Sequence, residues 1–88
     1  MTAEPEFLLT VAEIKHVQKI INEAKPGRYT LKALFGPKRW DEIGDDGDKR
    51  IYGGRFLASY HKGDIRRLRL DGLKSFSRVY LISDYLNR

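Results

Sequence analysis

Lys49, Arg50, Arg55, Lys62, Arg66, Arg67, Arg69, Lys74 and Arg78 place nine cationic side chains in one stretch of this 88-residue chain. The chemistry open to such a set is the binding of anions, because a guanidinium can donate twice to one phosphate or one guanine edge and lysine supplies a point charge. From residue 49 onward ten basic residues stand against three acidic ones, giving +7. The first 48 residues carry seven basic and nine acidic groups, giving −2, and the two parts make up the stated +5. This split points to a polyanionic partner more strongly than the net charge does. The competing reading is a solvated charged face whose aliphatic stems cover apolar surface.

Other chemistries find little support. Asp45, Asp46 and Asp48 invite a calcium loop, but the twelfth position counted from Asp45 is Phe56 where a carboxylate is required. Capping and loop solvation suit the cluster better, and no metal site is expected. His16 and His61 have no second ligand at zinc spacing. Ser59, His61 and Asp64 can be combined on paper into a nucleophilic set, yet nothing orients them, so no enzyme activity and no cofactor are expected. Neither glycine-rich phosphate-loop pattern is present. Cysteine is absent, which excludes disulfides and thiolate metal sites. No apolar stretch is long enough to span a membrane and no signal peptide is visible, so a cytoplasmic location is expected.

The elements that position the basic set follow from local signals. Residues 1–9 form a leader, and residues 10–88 one domain. Thr10-Val11-Ala12-Glu13 matches a capping box, flanked by Leu9 and Ile14 as a hydrophobic staple. Val11, Ile14, Val17, Ile20 and Ile21 then predict an amphipathic helix to Ala24, ended by Pro26-Gly27 and available as a dimer surface. Thr30 caps a short helix burying Leu31, Leu34 and Phe35, and Gly36-Pro37 separates it from a third, Pro37 to Ile43, carrying Trp40. Asp48 would cap a fourth helix, Lys49 to Lys62, closed by Gly63 and offering Ile51, Tyr52, Phe56, Leu57 and Tyr60 to the core. Gly53-Gly54 in it costs on the order of 1 kcal/mol per residue. Close approach to a phosphate, tight packing against the first helix, or a helix beginning at Gly54 would each account for it.

Beyond Gly63 the apolar period changes to that of strands, with Leu68 and Leu70 on one face, then Val79 and Leu81 closing the core. A loop from Asp71 to Ser77 exposes Lys74 and Phe76, and Tyr85 and Leu86 fold back. The expected fold is α+β: about four helices followed by a C-terminal β-hairpin, winged-helix-like.

The pieces Tyr29-Thr-Leu-Lys-Ala-Leu-Phe-Gly36, Trp40 and Gly54-Arg-Phe56 together resemble a family of small bacterial and phage proteins known only as a domain of unknown function. The resemblance covers roughly residues 28 to 85 and implies a small stand-alone domain, with no functional residues to transfer. Function therefore rests on the residues themselves. The expectation is a non-enzymatic protein binding nucleic acid, duplex DNA above all, with Arg50, Arg55 and Ser59 facing the groove. Lys62, Arg66, Arg67, Arg69, Lys74 and Arg78 would meet phosphates from the helix end and hairpin. The alternative is a phage or mobile-element inhibitor that binds a host protein through Trp40 and Phe76.

Overall fold

The computed structural model describes residues 8–74 and 77–83. Residues 1–7 of the leader, Phe76, Tyr85, Leu86 and the side chain of Lys74 lie outside the described residues, whereas Leu9, expected in the leader, is buried in the core. The first helix, α1 (Val11–Glu23), starts where expected. The Thr10 hydroxyl accepts from the Glu13 backbone N–H at 3.1 Å, and the Glu13 carboxylate accepts from the Thr10 N–H at 2.8 Å. These two bonds satisfy donors that a helix start leaves without intrahelical partners. Val17, Ile20 and Ile21 form its buried stripe, whereas Val11 stays in solvent.

A short strand unanticipated from the sequence, β1 (Gly27–Tyr29), follows. Thr30 then caps α2 (Leu31–Phe35), and α3 (Pro37–Asp41) begins directly after Gly36, whose φ of 85° is cheap only for glycine. The long helix α4 (Asp46–Lys62) begins three residues before the expected Lys49. Asp45, rather than Asp48, is its cap. The Asp45 carboxylate accepts from the Asp48 N–H at 2.9 Å, and Asp48 accepts from the Asp45 N–H at 3.2 Å. Asp48 is thus the third residue of a capping box, and the aspartate cluster is accounted for by helix initiation. The helix is continuous through Gly53-Gly54, so it does not begin at Gly54.

The hairpin consists of β2 (Leu68–Lys74) and β3 (Ser77–Ile82). The expected loop from Asp71 to Ser77 is mostly strand. Pairing runs Leu68 with Ile82 and Leu70 with Tyr80, then shifts, so that Gly72 pairs with Val79 and Asp71 is left over as a β-bulge. β1 pairs antiparallel with β3, placing Tyr29 opposite Tyr80, and the three-stranded sheet has the order β1-β3-β2. Among the described residues, four helices and an antiparallel sheet with this connectivity make an α+β fold. The element order is compatible with a winged-helix-like arrangement.

One cluster joins α1, α2, α4 and the inner face of the sheet: Leu9, Val17, Ile20, Ile21, Leu31, Leu34, Phe35, Phe56, Ile65, Leu68, Tyr80 and Ile82. The expected inward face of β3 is reversed: Tyr80 and Ile82 are buried, whereas Val79 and Leu81 are half-buried on the other face. Tyr80 packs edge-on against Phe56 at a centroid distance of 5.1 Å and against Tyr60 at 6.0 Å. Phe35 makes edge contacts with Trp40, Tyr52 and His16. Ile51, expected to reach the core, is 56% exposed on the outer side of α4. Among the described residues no helix is long and apolar enough to cross a membrane.

Candidate functional site

The basic residues do not form one surface; their backbone positions and local partners divide them. Arg67 is turned inward. It is the one non-glycine residue with positive φ (67°) among those described, and its guanidinium donates to the carbonyls of Asn22 at 3.2 Å and Ile21 at 3.5 Å. Those carbonyls lie in the last turn of α1, where the negative end of the helix dipole favours a cation, although the Ile21 carbonyl also accepts from the Ala24 N–H. Arg67 is therefore an anchor of the segment entering β2 and is not a wing cation. The backbone of its neighbour Arg66 is gripped by Gln18: the N–H donates to Oε1 at 2.8 Å and the carbonyl accepts from Nε2 at 3.1 Å. The Arg66 residue itself remains exposed.

Ser59 is also withdrawn from the surface. It is fully buried, and its Oγ accepts from the Leu9 N–H at 3.0 Å, so it cannot face a groove. Lys62 lies 3.7 Å from Asp64. Arg69 is exposed, on the residue opposite Leu81, and Arg28 of β1 faces Leu81 from the other side. Arg28 itself is bonded to Asp71, the extra residue of the bulge. Arg55 is half-buried and engaged in interactions within the protein.

Arg50 and Arg78 behave differently. Both line a cleft of about 370 Å³ bounded by the start of α2, Trp40 of α3, the N-terminal half of α4 and β3. Gly53 explains how they meet. It is buried, and a Cβ built there would lie 4.0 Å from Nη1 of Arg78, so the guanidinium of β3 rests over α4 where a side chain is missing. Arg50 is three residues earlier on the same helix, hence a neighbour of Gly53 on its surface. The packing served by Gly53 is therefore with the hairpin and not, as one expectation had it, with α1.

Lys32 of α2 completes the cationic lining, and sequence reasoning missed it because the charge asymmetry directed attention to the second half of the chain. Lys32, Arg50 and Arg78 have no carboxylate partner among the described residues. Lys49 also lines the cleft but is held by Asp41 at 3.0 Å, and Asp46 contributes one negative charge. Trp40 supplies an aromatic wall, and the almost wholly covered Tyr80 underlies the cleft.

Tyr80 is 1% exposed, and its hydroxyl is buried without a hydrogen-bond partner among the described residues. Burial pushes its pKa up to about 12, an effect that the neighbouring Arg78 charge opposes and Tyr60 reinforces. The Tyr80 phenol is thus a neutral hydrogen-bonding group within the field of the Arg78 guanidinium. No group of three acidic, histidine or cysteine side chains able to hold a metal occurs among the described residues. Comparison of the chain with protein-family models, curated proteins and solved structures finds no match.

Proposed function

We propose that this protein binds nucleic acid, duplex DNA foremost, through the exposed side of the N-terminal half of α4 together with the β3 end of the hairpin. The observation that carries this reading is the convergence of Arg50 from the helix and Arg78 from the hairpin, with Lys32 beside them and no carboxylate partner for any of the three among the described residues. Cations from two elements meeting at one cleft suit a polyanion that contacts helix and wing together. The role divides differently from the charge pattern: Arg67 holds the fold, Ser59 is core, and Arg50 with Arg78 forms the centre of the interface. Exposed Arg66 and Arg69, and Lys62 at the helix end, then act as peripheral phosphate contacts.

The test is fluorescence anisotropy of labelled duplex DNA across a salt series. Affinity should fall linearly with the logarithm of salt concentration, and the Arg50→Ala, Arg78→Ala double variant should lower the slope by about two, one for each phosphate contact removed. Undetectable binding to duplex and single-stranded DNA at low ionic strength refutes the reading. A salt-insensitive stoichiometric complex with a protein in its place would favour an interaction module.

A further inference from the structure

The cleft at Gly53 has features that a smooth phosphate-contacting surface does not need. Its volume of about 370 Å³ falls within the roughly 300–1,000 Å³ usual for small-ligand sites, and it combines four cations, Lys49 among them held by Asp41, with a half-buried tryptophan. A duplex backbone passing over α4 would be served by the outward cations alone. An indole at the wall instead offers a flat apolar face, the surface on which an unpaired base stacks. Tyr80 adds the independent observation. A buried hydroxyl left without a partner destabilises a protein, and native structures rarely tolerate one unless something else supplies the bond. Tyr80 is among the residues around this same cleft, and Arg78, whose charge acts on the Tyr80 hydroxyl, packs over Gly53.

We propose that the cleft is a site for a single unstacked nucleotide unit, its phosphate held by Lys32, Arg50 and Arg78, its base set against Trp40, and its polar edge completing the hydrogen bonding of the Tyr80 hydroxyl. This deepens the nucleic-acid reading, on which it rests for the class of ligand, by naming the unit recognised. The arrangement is selective in a stated way: a nucleoside lacks the phosphate, inorganic phosphate lacks the base, and only a nucleotide uses both halves. Asp46, which also lines the cleft, disfavours additional negative charge on its side and so favours one phosphate over a polyphosphate chain.

Trp40 is the only tryptophan of the chain, so its emission reports the site directly. The experiment titrates the full chain with a nucleoside 5′-monophosphate, the matching nucleoside and inorganic phosphate, following Trp40 fluorescence and, in parallel, calorimetric heat. A single-stranded oligonucleotide carrying a 5′-phosphate and a blunt duplex are titrated alongside. The expected result is saturable quenching by the monophosphate and the single strand, with the nucleoside and inorganic phosphate weaker by about tenfold or more. Arg78→Ala should weaken the monophosphate by about tenfold or more. Tyr80→Phe should weaken it by about fivefold while leaving thermal stability unchanged or raised, since the orphan hydroxyl is removed with its cost. Trp40 emission left unaltered by the monophosphate and the single strand, with Tyr80→Phe at wild-type affinity, overturns the inference, and duplex binding that persists then spares the nucleic-acid reading. Equal effects of inorganic phosphate and nucleotide reduce the cleft to a plain anion site and overturn it too. Failure of every nucleic-acid ligand overturns both.

Discussion

Replacement of Arg67 separates a structural arginine from a binding one. Arg67→Ala removes two charge-assisted donations to the last carbonyls of α1, at 3.2 and 3.5 Å, and leaves a β-carbon in a left-handed conformation with φ of 67°. Bonds to charged donors contribute roughly 1.5–3 kcal/mol when well formed, and these two are long. The partial exposure of the residue lowers the figure further, so a loss of about 1–2 kcal/mol is expected. In a domain of this size that corresponds to a fall in Tm of roughly 5–15 °C. Arg67→Gly loses the same bonds but relieves the backbone, and should be more stable than the alanine variant by about 1 kcal/mol. Urea denaturation of the three proteins, followed by far-UV circular dichroism, gives the midpoints. DNA affinity measured well below the melting transitions should be unchanged in both variants. An alanine variant as stable as the parent, or no gain from glycine over alanine, refutes the account of Arg67 as an anchor. So does a loss of DNA affinity comparable with that of Arg78→Ala.

Three further outcomes follow from the same geometry. Ser59→Ala leaves the buried Leu9 N–H without its acceptor and should cost about 1–3 kcal/mol in chemical denaturation, with no effect on nucleic-acid affinity. Gly44→Ala should destabilise the start of α4, because φ is 138° there and the added carbon would fall 2.2 Å from Oδ2 of Asp48; a lower Tm with weakened amide-exchange protection at Asp48 and Lys49 checks it. Stability should be level below about pH 10 and fall between about pH 10 and 12. Tyr80 keeps its proton to a higher pH in the folded state than in the unfolded one, and Tyr52 is pushed upward as well by burial and by Glu13. Each such tyrosine adds at most about 1.4 kcal/mol per pH unit to the slope, and Tyr80→Phe should flatten it.

What could be read from the residues alone was whatever depends on near neighbours in sequence. The capping box at Thr10, the Thr30 cap, the Gly36-Pro37 break and the Gly63 stop are interactions within a few residues, and all four occur. The misread features depend on pairing partners far along the chain. β1 is three residues whose strand character comes from β3. On β3 both faces are apolar, Val79 and Leu81 against Tyr80 and Ile82, so alternation alone could not say which faces inward. Asp48 is the last of three aspartates near the start of α4, and only the backbone geometry shows that Asp45 is the cap. Ser59 was mistaken for a surface group because it is small and polar among cations. Its place three residues after Phe56 was the signal that it shares the buried stripe. For the site, charge identified Arg50 and Arg78 but could not separate them from Arg67, whose guanidinium is used up by a helix end 45 residues away.

The bulge at Asp71 bears on how copies of this chain meet one another. β2 is an edge strand of seven residues, and a long regular edge is a template on which a second molecule can add its own strand. The unmatched residue breaks the even spacing of backbone donors and acceptors part-way along β2 and twists its two ends apart. An incoming strand can keep register with only one side of the break, while the exposed Arg69 sets a charge beside it. The feature that hid the strand from a two-residue period thus guards a small, cysteine-free protein against edge-to-edge aggregation.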